Sequence, residues 1–413
     1  MTDLSALSPL DLVSAKLHKK SRPLDFSVIL TLEPGAVQAE MLRAGAISAT
    51  HLFPSSGSRV VNRNWHWENA DPFDVFEADD ASGAELAIHG FVNGGTDPHL
   101  DIQVRQLLVS VRSSGELTLV SRFHHSAFDG VSAALWIFHQ MMVASGEVEA
   151  ESTLGSWAGP ELRTHDNHSR KSAFSHVGAS RRVWSPSTKA TPVRDWHSWT
   201  LDSTHHVAVK QHVEGITTND ILSASILQTM MDWNVSHGVP SNKMGLWVPM
   251  NIRRQAFVGF GNGSSRIRVY ADKMQAETPS ERYRNIREQV MWSKDNGEWH
   301  VPSDNPILGM PDALMVPILR AFLGRPWVDM ASAPFTHLEN LGLASRFVPM
   351  VRSASWVIML HERFPFGITA ATVGADTQFT MTYDPGMITR EHVFEFEQML
   401  SKRVRSDREE VIG

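Results

Sequence analysis

Apolar positions along this chain follow two rhythms. Short runs rich in β-branched and aromatic residues read as strands at 26–32, 85–92, 100–111 and 117–120, the first stopped by Pro34-Gly35. Ser113-Ser114-Gly115 supplies a turn into the last of these. Helical spacing then takes over through Val131, Ala134, Leu135, Phe138, Met141 and Met142. Nearer the start, Ser8-Pro9 opens a short helix with proline at its first position. Trp65-His66-Trp67 reads as an edge strand packing its indoles rather than as a ligand box.

Between 146 and 195 the periodicity fades and the chain turns polar and locally basic (Arg163, Arg170, Lys171, Arg181, Arg182). A solvated connection accounts for this stretch better than a phosphate-binding patch. Beyond it, strands are expected at 196–201, 244–249, 266–270, 356–360, 366–373 and 378–383. Helices are expected at 277–292, 306–323 and 389–402, with a frayed tail at 403–413. Thr217 caps a further long helix through Ile221, Ala224, Leu227, Met230 and Met231. His205-His206 opens a helix and is expected at the surface. The organisation predicted is an N-terminal part (1–160), a connection (161–195) and a C-terminal part (196–413).

Composition narrows the function. A net charge of −7 disfavours nucleic-acid binding, which needs a basic surface. With 0 cysteines there are no disulfides, thiolate nucleophiles or cysteine zinc sites, and a reducing cytoplasm is the expected location. The first residues show no signal peptide, and no apolar run approaches membrane-spanning length. The 13 tryptophans and 18 methionines fit an ordinary core at least as well as an apolar tunnel.

The chemistry concentrates in Arg122-Phe123-His124-His125-Ser126-Ala127-Phe128-Asp129-Gly130. A strand ending in two histidines sends His124 and His125 to opposite faces, so one imidazole can enter a cavity while the other supports the backbone. Gly130, without a Cβ, permits close approach to the next amide. Neighbouring histidines on opposite faces chelate one metal poorly, and no His-Glu-x-x-His occurs. Serine-hydrolase elbows and Walker A loops are absent, and Gly259, Gly261 and Gly263 open no helix as a Rossmann fingerprint would.

This HHxxxDG stretch resembles the acyltransferase superfamily of chloramphenicol acetyltransferase, condensation domains, wax-ester synthases and alcohol O-acetyltransferases. Weaker motifs resemble it in the same order: Leu7-Ser8-Pro9-Leu10-Asp11, Thr217-x-Asn219-Asp220, Pro249-x-Asn251-x-Arg253, the Gly261-Asn262 step, Asn340-Leu341-Gly342 and Tyr383-Asp384. An Asp-Phe-Gly-Trp-Gly segment is missing, unlike the plant branch, and Asn-Leu-Gly replaces the Asn-Val-Pro-Gly of wax-ester synthases.

The resemblance implies an α/β fold of two chloramphenicol-acetyltransferase-like halves, a pseudo-dimer around a central tunnel. It implies acyl transfer from a CoA or carrier-protein thioester to a hydroxyl or amine, without metal or resident cofactor. In that reading His125 is the general base and an N–H near Gly130 holds the oxyanion. His124 is structural, as is Asp129, which pairs with an arginine; Arg253 is the candidate, the alternative being that it meets donor phosphates at the tunnel mouth. Asn251, Gly261, Asn262, Asn340 and Gly342 are the candidate tunnel-lining residues. Two other readings stay open: a free-standing condensation enzyme of a natural-product pathway with a donor bound to an acyl carrier protein, and a non-catalytic scaffold.

Overall fold

A computed structural model describes residues 2–18, 23–151, 153, 161–163, 182–202, 204–239, 243–255, 260–272, 278–299, 310–323, 331–338, 349–373 and 376–413. The chain begins with β1 (Thr2–Ala6), α1 (Pro9–Leu17), β2 (Asp25–Leu32), α2 (Ala39–Leu52), β3 (Ser58–Val61) and β4 (Asn64–Trp67). It continues through β5 (Phe73–Ala78), α3 (Ala81–Asn93), β6 (Val104–Val111), β7 (Leu117–His124) and α4 (Gly130–Ala144). After the connection come β8 (Asp195–Asp202), α5 (Thr204–His212), α6 (Thr218–Ser236), β9 (Lys243–Asn251), β10 (Ser264–Asp272), α7 (Pro279–Asp295) and α8 (Asp312–Leu323). The last elements are β11 (Ala333–Leu338), β12 (Val351–Val357), β13 (Phe366–Val373), β14 (Asp376–Tyr383) and α9 (Arg390–Ile412).

The strands form a five-stranded sheet, β12-β2-β7-β6-β5, and a six-stranded sheet, β10-β9-β11-β13-β14-β8, besides the small sheet β1-β4-β3. Alternation along β7 divides the first sheet's two faces. Leu119 and Phe123 pack with Trp136 of α4 and Ala46 of α2, while Val120 joins Val92 of α3. The second sheet buries Phe335, Ile368, Phe379 and Trp199 with Ile226, Met230 and Phe396 of α6 and α9. This is the expected α/β, two-lobed architecture.

The lobes are interlaced. β12 lies in the C-terminal stretch of the sequence, yet it pairs antiparallel with β2, from Val351↔Leu32 to Val357↔Ser27. Arg194, just before β8, reaches the other way and donates to the buried Asp25 of β2, Nη2 to Oδ1 at 2.9 Å and Nη1 to the carbonyl at 2.7 Å.

Several sequence expectations change. Residues 85–92 are not a strand but the body of α3. The Asp80 side chain caps this helix by accepting from the Gly83 N–H at 2.8 Å, and Ala84, Ile88 and Val92 recur on its packed face. The tail at 403–413 continues α9, anchored by buried Val404 and Asp407. The strand holding Trp65 is the middle one of its sheet, not an edge. His206 is buried rather than superficial, and burial pushes its ring down to about 3.

Helices α2 and α4 meet closely at Gly45, where a Cβ would stand 2.4 Å from the Gln140 carbonyl oxygen. That carbonyl belongs to a helix already pinned by the Gln140 side chain, which donates to the Leu42 carbonyl at 3.0 Å. Gly45→Ala is therefore expected to destabilise the protein by about 1–3 kcal/mol through overpacking. An unchanged denaturation midpoint would show that the two helices are not so tightly seated.

Candidate active site

β7 delivers the histidine pair and α4 receives the chain, so the motif fills the corner between them. Backbone bonds fix that corner. The His125 N–H donates to the Leu24 carbonyl at 2.8 Å, and the Ala127 and Phe128 N–H groups donate to the His124 carbonyl at 3.1 and 3.2 Å. Asp129 then caps α4, its Oδ1 accepting from the Ser132 N–H at 2.8 Å.

His124 is wholly buried in a closed polar network. Its Nδ1 accepts from the Ser126 N–H at 3.1 Å and meets Ser126 Oγ at 2.8 Å, while Ser126 Oγ donates to Gln103 Oε1 at 2.7 Å. Nε2 lies 3.3 Å from His18 Nδ1. Burial, reinforced by the neighbouring histidines, lowers the His124 pKa far below its ordinary value, so the ring stays neutral and serves as a support.

His125 is partly exposed, although its neighbours Phe123, Ser126, Phe128 and Asp129 are buried. Phe26 packs edge-on against its ring, and the Asn262 side-chain N–H donates to its carbonyl at 3.0 Å. Burial pulls the imidazole pKa down, opposed by Asp129 and by the carbonyls of His125 and Phe128. The ring is accordingly neutral at neutral pH. Asn262 Nδ2 also lies 3.4 Å from His125 Nδ1.

Asp129 and Arg253 form a bidentate ion pair across the lobes: Nη1 to Oδ2 at 2.7 Å and Nη2 to Oδ1 at 3.0 Å. The Gly263 N–H completes Oδ2 at 2.9 Å. Arg253 Nη2 also donates to Ser132 Oγ at 2.8 Å and to the Gly261 carbonyl at 2.6 Å. The guanidinium side chain is 0% exposed, so it presents no face to a phosphate at any tunnel mouth. A Cβ at Gly263 would stand 2.6 Å from Arg253 Cζ, and Gly261 has φ +135°, which explains glycine at both positions.

Asn251 steadies this arginine, its Oδ1 accepting from the Arg253 N–H at 3.1 Å. Gly130 opens α4, whose first N–H groups have no intrahelical partner, and Leu338 of β11 covers it, 2.9 Å from where a Cβ would be. Asn340, Gly342 and Gly259 lie outside the described residues, as do Arg170, Lys171 and Arg181. Of the basic connection, Arg163 is engaged here: its Nε donates to the Arg253 carbonyl at 3.0 Å. No group of three His, Cys, Asp or Glu side chains suited to a metal occurs among the described residues, and no described helix is long and apolar enough to cross a membrane.

Sequence reasoning missed two members of the site. Ser132 joins Arg253 to Gly261, and its only trace in the sequence is its place three residues after the cap. Asp11 of α1 is the other: burial first, and then the charge on Asp129, raise its pKa to about 7, an influence that only the fold creates.

No family model and no curated protein sequence matches the chain. Solved structures do match over its full length. The starter condensation domain of rhizomide synthetase RzmA, a mutant in complex with C8-CoA, gives a TM-score of 0.68 at 13% identity, covering 100% of this chain and 95% of that one. The wax ester synthase/diacylglycerol acyltransferase of Marinobacter aquaeolei VT8 gives 0.61 at 15% identity, with 98% and 100% covered. The epimerization domain of tyrocidine synthetase B gives 0.65 at 12% identity, with 99% and 98% covered. The chain thus has the fold of condensation domains and chloramphenicol-acetyltransferase-like acyltransferases.

Asp129→Ala would strand the Arg253 guanidinium in the interior. A loss of roughly 3–5 kcal/mol in unfolding free energy is expected, as for other broken buried pairs. Urea denaturation reads it, and a midpoint close to that of the unsubstituted protein would contradict the load placed on this pair.

Proposed function

We propose that this protein is an acyltransferase, moving an acyl group from a CoA or carrier-protein thioester to a hydroxyl or amine. The observation that carries this reading is His125: a neutral, partly exposed imidazole braced by Leu24 and Asn262 above a neutralised Asp129–Arg253 pair. Its fold neighbours include a condensation domain holding C8-CoA and a wax ester synthase, which favours a thioester donor.

In this mechanism Nε2 of His125 takes the proton from the acceptor's hydroxyl or amine as its oxygen or nitrogen attacks the thioester carbonyl. The oxyanion that forms is met by a backbone N–H near Gly130, at the positive end of α4. Collapse re-forms the carbonyl and breaks the carbon–sulfur bond. The thiolate leaves with the proton returned by the imidazolium, so the enzyme ends as it began. With 0 cysteines no acyl-thiol enzyme can form, and transfer is direct within a ternary complex. A free-standing condensation enzyme with a carrier-bound donor uses the same steps. The fold alone does not require turnover of this kind, since an epimerization domain shares it.

The test is release of free thiol from acetyl-CoA, octanoyl-CoA and acylated carrier protein, each with a panel of alcohols and amines. His125→Ala is expected to reduce turnover by about 10²-fold or more with the fold intact, since a general base contributes on that scale. Equal loss from a folded His124→Ala protein would refute the choice of base. Absence of release from every donor would leave a binding role for the fold.

Initial rates with both substrates varied should give intersecting lines. Parallel lines, the mark of a covalent acyl-enzyme, would end direct transfer.

A further inference from the structure

The two faces of the second sheet differ at its β9–β10 end. Ile267 and Val269 of β10 and Leu246 and Val248 of β9 pack with Tyr283, Ile286 and Val290 of α7. Alternation therefore turns Ser264 and Arg266 of β10, and Trp247 and Asn251 of β9, the other way. That face looks onto the first lobe. Leu338 of β11 meets Gly130 on it, and Ser264 Oγ donates at 3.3 Å to Asn262 Oδ1, whose amide N–H donates to the His125 carbonyl. Arg266 lies two residues, about 7 Å of strand, beyond Ser264.

The Arg266 side chain is exposed, and among the described residues no carboxylate pairs with it. Its Cζ lies 4.2 Å from the centre of the Trp247 ring, and Phe364 packs edge-on against that indole with ring centres 5.1 Å apart. Contact with a ring face leaves the guanidinium N–H groups without an acceptor. The neighbouring Arg268 is served by Glu298, Nε to Oε1 at 3.1 Å. Solvent reaches the Arg266 guanidinium, yet burial is the foremost influence lowering its pKa, with Arg268 second. His125 shows the same combination of exposure and burial. A group both wetted and enclosed lines an internal space rather than the outer surface. A lone cation kept there is costly until an anion joins it.

We propose that Arg266, seated on Trp247, binds a carboxylate carried by the substrate, remote from the atom that reacts beside His125. The planar fork of a guanidinium meets a carboxylate through two parallel hydrogen bonds, and one positive charge balances one negative. A phosphate dianion would leave excess charge in an enclosed place whose other arginines, Arg253 and Arg268, already hold carboxylates. The carboxylate can stand on the acceptor or at the far end of the acyl chain. Its assignment to a substrate rests on the reading of His125 as the base; the binding of the anion does not.

Isothermal titration calorimetry of the intact chain tests the binding without turnover. The probes are ω-amino carboxylic acids of graded length, each beside its carboxamide. At least one acid should bind about 10-fold more tightly than its amide, since a charge-assisted pair contributes on that scale. Arg266→Gln should abolish the preference, and Arg266→Lys, which keeps the charge but not the fork, should retain part of it. If the glutamine variant does not fold, Arg266→Met is read in the same way. Equal binding of acid and amide at every length, or a preference that survives loss of the guanidinium, would overturn the site. The thiol-release assay then separates the two sources. In one arm the same acids and amides are the acceptors; in the other, ω-carboxyacyl-CoA thioesters are compared with their methyl esters as donors. In the arm that carries the recognised carboxylate, Arg266→Gln should raise KM for the acid about 10-fold more than for its neutral partner. No such split in either arm would end the substrate role. A KM rise shared by every CoA thioester and absent with phosphate-free thioesters would overturn the choice of carboxylate over phosphate. Loss of the base assignment would show separately, as undiminished turnover in His125→Ala, while the titration still decides the anion site.

Discussion

The joint between the lobes is a buried ion pair, and the rest of the site is built on it. Asp129 comes from the end of the histidine motif and Arg253 from the end of β9, and each is closed off from water. Desolvating two charges is expensive, and the attraction between them compensates only when every lone pair is occupied. Here the carboxylate accepts two bonds on each oxygen, from Ser132, Gly263 and both guanidinium nitrogens. Such a pair is sensitive to displacement, so it fixes the register of one lobe on the other. The Gly261–Gly263 loop and its Asn262 fall beside His125 because Asp129 and Arg253 meet where they do.

That register also shapes the electrostatics around His125. A lone carboxylate at Asp129 would draw a proton onto His125, since it is the charge that opposes the effect of burial on that ring. Pairing with Arg253 balances the charge, and the imidazole remains neutral. His124 is neutral for a different reason, being enclosed entirely by other groups. Two adjacent residues of one type thus meet quite different surroundings.

How much of this is legible in the sequence depends on how local the signal is. The placement of the histidine motif between a strand and a helix, and the Thr217 cap, are contained within a few residues and read correctly. Arg253 was reachable only through resemblance, because nothing in residues 249–254 points to an aspartate more than a hundred positions earlier. Residues 85–92 misled because a short apolar run fits a strand and a helix equally well, and the deciding cap, Asp80, precedes the run. The tail likewise offers few apolar positions, yet Val404 and Asp407 are enough to hold α9 against its lobe. His206 and Asp11 were beyond reach, since their burial is created by distant elements.

The pairing of β12 with β2 bears on how the protein comes into being. β2 lies between β7 and β12, and β12 is more than three hundred residues further along the chain. A nascent polypeptide that has emerged as far as α4 therefore exposes one flank of β2 as an open row of backbone donors and acceptors. Such a row invites pairing with any passing strand. The first lobe cannot be completed in the order of translation, and the ends of the molecule must mature together. A chain cut between its lobes would yield an N-terminal fragment short of a strand, prone to take one from a neighbour.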